Sequence, residues 1–92
     1  RNLRLTPAGR SRAPALFAAI SAAAADIRAG QSDRMAIREA AEALRGAGFE
    51  RVEYIELRDA ATLMPSDDPA RPRRMLAAAW VDGVRLIDNI PV

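Results

Sequence analysis

Apolar residues along this chain of 92 recur first at helical and then at strand spacing. In ALFAAISAAAADIRAG, residues 15–30, Leu16, Ile20, Ala23 or Ala24, and Ile27 lie three or four apart, the repeat of a helix with one buried stripe. Gly30 suits the left-handed position that ends such a helix. Upstream, Thr6-Pro7 is a helix-entry signal. The hydroxyl caps free N–H groups, and proline in the first turn loses no hydrogen bond. A short turn is expected over PAGRSR, with Pro14 restarting or kinking the helix because the residue before a proline is pushed out of the helical region.

A second helical pattern follows in QSDRMAIREAAEALRGAG, residues 31–48. Ser32 and Asp33 are its capping candidates, Ile37, Ala40, Ala41 and Leu44 its apolar stripe, and Gly46 and Gly48 its end. Arg38 and Glu42 sit four apart on the solvent side. The connection between the two helices is so short that they must run roughly antiparallel.

Beyond Gly48 the repeat changes to two. In RVEYIELRD, residues 51–59, strict alternation sends Val52 and Tyr54 to one face and Glu53 and Ile55 to the other, which is a strand. AATLMPSDDPARP, with three prolines and two adjacent acids, is a loop with room for one helical turn at DAATL. RMLAAAWVDGVRLIDNIP then gives two strands around Asp82-Gly83, the residue choice of a type I′ hairpin turn. A two-residue turn sets Val81 opposite Val84, Trp80 opposite Arg85 and Ala79 opposite Leu86. The expected architecture is α+β, in the order ααβββ: two antiparallel helices on one face of a three-stranded antiparallel sheet.

Composition narrows the chemistry. The chain has the size of one domain, and its longest near-apolar run, APALFAAISAAAADI, is broken by Ser21 and falls short of the roughly 20 residues that span a bilayer. Neither cysteine nor histidine occurs, which removes disulfides, thiolate and imidazole metal ligands, and the commonest general base. Catalysis by this chain alone would rest on Asp, Glu, Arg and hydroxyls. All fourteen basic residues are arginine, but the net charge is only +2 and the acids are interspersed with them, so the pattern argues against a nucleic-acid surface.

Each candidate for chemistry has a structural counterpart. Asp59 and Asp88, the latter beside Asn89, are a carboxylate pair for acid–base work or magnesium if they meet, and strand-end and turn residues if they do not; turn roles are the commoner use. Arg71, Arg73 and Arg74 suit phosphate, or serve to neutralise Asp67 and Asp68 in their own loop. Phe49, Tyr54 and Trp80 are stacking platforms or, as favoured in a small domain, core. The glycines fall at helix ends and the hairpin tip, so there is no phosphate-cradling loop.

Taken in order, several stretches resemble the C-terminal domain of the pantoate:beta-alanine ligase (pantothenate synthetase) family. They are Arg1-Asn2 with LRLTPAGR, then AP.LF.AI from Ala13 to Ile20, IRAG ending at Gly30, EYIELRDAATL from Glu53, and AAAWVDGVRLIDNI from Ala77. The resemblance covers nearly the whole chain, departing from the family pattern in the proline-rich MPSDDPARPRR. It implies that Arg1-Asn2 is the second half of a Ser-Ser-Arg-Asn loop. A Rossmann-like N-terminal domain, absent from this chain, would precede it, and residues 1–92 would form a lid domain.

By the same resemblance the full-length enzyme condenses pantoate with beta-alanine through pantoyl adenylate, using ATP and Mg2+. It is a cytoplasmic homodimer whose histidine-containing nucleotide signature and substrate pockets lie in the N-terminal domain. Arg1 is the one residue implied to bind ATP, through its phosphates. Asn2 completes the motif, and Arg85 to Asn89 are read as sheet structure. No catalytic or metal-binding residue is assigned, no cofactor is expected on this domain alone, and neither nucleic acid nor membrane is an expected partner. A free-standing interaction module, marked by an apolar patch on the uncovered sheet face, and an Arg-rich nucleic-acid-binding domain, marked by a continuous basic face, are the alternatives.

Overall fold

A computed structural model describes residues 7–66 and 68–92, with side chains from residue 14 onward. Helix α1 spans Pro7–Arg28 and helix α2 spans Asp33–Gly46. Strands β1 (Arg51–Asp59), β2 (Arg73–Val81) and β3 (Val84–Pro91) follow, paired antiparallel in the order β1-β2-β3. The expected ααβββ arrangement is the one observed, with α1 against β2 and β3 and α2 against β1.

The helices owe their ends to local chemistry. Ser32 Oγ accepts from the Met35 N–H at 3.2 Å, satisfying one free donor of α2. At the other end Gly48 has φ +97°, where a Cβ is disfavoured, and Phe49 N–H returns to Leu44 C=O at 3.0 Å. That return brings Phe49 onto Leu44, and both are buried. The pattern at 15–27 is realised in full, since Leu16, Ile20, Ala23, Ala24 and Ile27 are all buried. The helix does not restart at Pro14. PAGRSR and the following segment form one continuous helix with Pro14 inside it. Proline forfeits one N–H bond and crowds the preceding turn, and the alanine-rich sequence on its C-terminal side, with its buried stripe, sustains the helix regardless. Pro7 opens α1 as expected; Thr6 lies outside the described residues.

The hairpin has the expected register, Val81 opposite Val84, Trp80 opposite Arg85 and Ala79 opposite Leu86. Asp82 and Gly83 adopt φ +55° and +74°, both left-handed as a type I′ turn requires. The first strand departs from strict alternation. A bulge between Val52 and Tyr54 sets Val52 opposite Ala79 and Ile55 opposite Ala77, so both face the helices. Regular alternation would have sent Glu53 into that core with Ile55, and burying an unpaired carboxylate is costly; the extra residue turns it to the open face.

The core is one layer between helices and sheet. Leu16, Ile20 and Leu44 come from the helices, and Ile55, Leu57, Met75, Ala77, Ala79, Val81 and Leu86 from the sheet. Phe49 belongs to it, as expected. Tyr54 and Trp80 do not: they occupy the open face and are half-buried.

Candidate functional site

Polar side chains gather in two places. The first is the end of the sheet where β1 stops and β2 starts. Asp59 is buried and closes a turn, its Oδ1 accepting from the N–H groups of Ala61 at 2.8 Å and Thr62 at 3.0 Å. Its Oδ2 accepts from Arg71 Nε. That guanidinium, and then the two backbone donors, hold the Asp59 carboxyl far below the usual carboxylate range, while Asp59 in turn raises Arg71. Arg58 donates to Leu63 C=O at 2.8 Å and to Glu56 at 2.6 Å. Arg73, buried beside Asp59 on the helix side, approaches Asp33 at 3.7 Å. Next to these groups Asp33, Ile37, Leu57, Pro65 and Ser66 line an open recess of about 400 Å³.

The second gathering is on the open sheet face, at the hairpin end. Glu53 accepts from Trp80 Nε1 at 3.0 Å and from Arg85 through both carboxylate oxygens at 3.0 and 2.9 Å. Arg51 reaches Glu53 at 3.4 Å while its guanidinium lies 5.4 Å from the Trp80 ring centroid. The bonds from Arg85 and Trp80 outweigh the effect of burial and lower the Glu53 pKa to about 2. At the other end of this face Arg74 donates to Asn89 Oδ1 at 3.0 and 2.6 Å. Between them lie Leu76, Ala78 and Ile87, and of these only Ile87 is an exposed large hydrophobic residue.

These positions resolve most of the sequence-level alternatives. Asp59 and Asp88 do not form a pair. They lie on the outer strands, opposite Arg73 and Ala77, four residues apart along β2. Asp59 is a turn and ion-pair residue, and DAATL forms the expected single helical turn, with Leu63 N–H donating to Asp59 C=O at 2.8 Å and the Asp59 side chain capping it. Among the described residues no cluster of acids could hold a metal. Arg71, Arg73 and Arg74 do not converge; they engage Asp59, Asp33 and Asn89 respectively. Arg71 pairs first with Asp59, twelve residues away, and more weakly feels the charge of Asp68 in its own loop; Asp67 lies outside the described residues. Among the described arginines, Arg51, Arg58, Arg71, Arg73 and Arg85 are each paired with an acid, which breaks up any continuous basic face. Arg1 and Asn2 lie outside the described residues.

Sequence reasoning missed the Glu53 hub. The available signal was that Val52, Ile55 and Leu57 are all apolar yet spaced three and then two apart, which fits one face only if a residue is added between them. It also missed the contact of Asp59 with Arg71, because nothing in the spacing fixes how the intervening loop folds back.

The family model for pantoate-beta-alanine ligase matches residues 1–91. Over all 92 residues the chain is 53% identical to a pantothenate synthetase of Cereibacter sphaeroides and 51% identical to that of Paracoccus denitrificans. It spans about a third of those relatives' length, 33% and 32%. A crystal structure of pantothenate synthetase from Thermus thermophilus superposes with a TM-score of 0.83 at 34% identity, over 97% of this chain and 32% of that one. With a fold that superposes closely on a solved pantothenate synthetase, a family model that matches residues 1–91 and half its residues shared with curated relatives, this chain belongs to the pantoate-beta-alanine ligase family.

Proposed function

We propose that residues 1–92 are the C-terminal lid domain of an ATP-dependent, AMP-forming pantoate:beta-alanine ligase. In this reading a Rossmann-like N-terminal domain precedes Arg1 and holds ATP, Mg2+, pantoate and beta-alanine. The lid closes over the nucleotide, keeps water from pantoyl adenylate until the beta-alanine amine attacks it, and brings Arg1 to the phosphates. The ligase acts in the cytoplasm as a homodimer. Among the described residues no helix is long and apolar enough to cross a membrane.

The observation that carries this reading is the match of the whole chain to one third of proteins named pantothenate synthetase. The chemistry of the donor set supports the division of labour. The chain has no histidine or cysteine, and its described carboxylates do not form a metal cluster. On this reading the metal site and any imidazole or thiol chemistry belong to the other two thirds. A guanidinium at Arg1 would make forked contacts to a triphosphate whose charge redistributes during adenylation.

The test compares this chain with the full-length ligase in ATP, Mg2+, pantoate and beta-alanine. The full-length enzyme forms pyrophosphate and pantothenate; the 92-residue chain forms neither. Turnover by the fragment would sink the lid assignment. In the full-length enzyme Arg1→Ala slows single-turnover formation of pantoyl adenylate about a hundred- to a thousandfold. Capture of preformed intermediate by beta-alanine slows less, and Arg1→Lys recovers only part of the loss. Equal slowing of both steps would make Arg1 a linker residue.

A further inference from the structure

The two helices lie in one layer on the same sheet, yet they turn different surfaces outward. From α2, Arg34, Arg38, Glu39, Glu42 and Arg45 are exposed, the charged side of a helix that faces water. From α1 between Pro14 and Ala25 the exposed residues are Pro14, Phe17, Ala18, Ala22 and Ala25, and neither they nor the half-buried Ser21 carries a charge. With Leu16, Ile20, Ala23 and Ala24 already buried on the inner side, this stretch of α1 is apolar nearly all round. A helix of that kind belongs in an interior.

Helix formation accounts for the alanines but not for two of their neighbours. Proline is the least favourable residue inside a helix, and phenylalanine is a poorer choice than alanine. Neither serves the core of this domain. Pro14 is exposed, and Phe17 is 56% exposed where the other phenylalanine, Phe49, is 4% exposed. Pro14 and Phe17 are three apart, and Phe17 and Ser21 four apart, so the three share the outward side with Ala18.

We propose that this outward side of α1, anchored by Pro14 and Phe17, packs against the N-terminal domain of the same ligase polypeptide; the proposal rests on the functional reading above. Chain length and the point of attachment select that occupant. The chain spans about a third of its relatives' length, so on that reading the larger part of the polypeptide joins at Arg1. Arg1 is six residues ahead of Pro7, a reach of about 20 Å at full extension. Phe17 lies ten residues into α1, about 15 Å along the helix from Pro7. A domain tethered that closely stands beside the surface at an effective concentration of about millimolar, an advantage that a second copy in free solution lacks. The side chains follow the same gradient. The bulky ones, Pro14 and Phe17, are nearest the attachment, alanines follow, and charge returns only with Asp26 and Arg28.

The full-length ligase tests this with a benzophenone amino acid in place of Phe17. Irradiation is expected to give a cross-link of monomer mass that maps to the N-terminal domain, in far higher yield than from the same group in place of Met35, which is 42% exposed on α2. A cross-link of dimer mass, one confined to residues 1–92, none at all, or equal yields from the two positions overturns the proposal. Hydroxyl-radical footprinting reads the same contact in the wild-type ligase, with the two phenylalanines of residues 1–92 as each other's standard. Phe17 is expected to be oxidised about as slowly as the buried Phe49. Oxidation of Phe17 many times faster than of Phe49 overturns the proposal, and this measurement decides if the benzophenone variant does not fold. The two readings fail separately. An active ligase whose Phe17 stays open to the radical loses the docking contact and keeps the functional reading; a ligase that makes no pantothenate yet cross-links from position 17 as expected keeps the contact and loses the reading.

Discussion

At Glu53 one carboxylate accepts from Trp80, from Arg85 through both oxygens and from Arg51, and its pKa falls from 4.5 to about 2. Asp59 is shifted in the same direction by Arg71 and two backbone N–H groups. The sign follows from linkage. A lowered native pKa means that the unfolded chain takes up protons first, so stability is intact above the ordinary carboxylate pKa and is lost as the pH falls through that value toward the native one. For Glu53 the window runs from about 4.5 down to about 2. Urea midpoints are expected to be level between about pH 7 and pH 5.5 and to drop below about pH 4.5. Glu53→Gln should lower the neutral-pH midpoint and flatten the acid slope; an acid slope equal to that of the wild type would mean that the hub contributes nothing to acid sensitivity. Arg85 is suited to this role because its planar fork meets both oxygens at once, which a lysine ammonium cannot do.

Among the elements, the hairpin was the most legible in advance, because Asp82-Gly83 dictates turn type and turn type dictates register. The space around Gly83 is open, with no atom within 4 Å of where a Cβ would stand, so only backbone conformation penalises a side chain there. Gly83→Val is expected to destabilise the domain by about 1–2 kcal/mol through φ alone, read as a lower denaturation midpoint at unchanged slope. An unaltered midpoint would mean that the turn readily adopts another geometry. The helices were legible for a similar reason, since three-and-four spacing and a Ser–Gly frame act over a few residues. The first strand was legible as a strand but not in its facing, because the bulge answers a tertiary demand, keeping Glu53 out of the core. Trp80 and Tyr54 were misplaced by the same logic. Aromatic size predicts burial on average, whereas here the alternation of β2 gives the covered face to Met75, Ala77, Ala79 and Val81. Of the site, the pairing of Asp59 with Arg71 depended on a loop whose path no local rule determines.

At the scale of the molecule, helices and sheet meet over small side chains. Ala19, Ala23, Ala36 and Ala40 on the helices face a sheet whose central strand contributes Ala77 and Ala79, all of them buried. Interiors are packed to near-crystalline density, so there is little slack to receive extra atoms. Ala77→Leu is expected to destabilise by about 1–3 kcal/mol through overpacking, measured by chemical denaturation. A neutral result would mean that the two layers separate without cost. Among the described residues the longest irregular connection is the one from β1 to β2.

That connection is clasped at its base, with Asp59 gripping Arg71 and the backbone of Ala60 bonded to Pro72 at 2.9 Å. A clasp separates what lies above it from what lies below. Residues inserted or deleted beside Asp68 leave the pairing of β1 with β2 untouched, and lengthening such a loop twofold costs only about 0.6 kcal/mol in closure entropy. Within the lineage this makes the segment around Asp68 the place where length and composition can drift. For the protein engineer it is the natural position to splice in a tag or a sensor peptide, beyond the clasp and clear of the sheet.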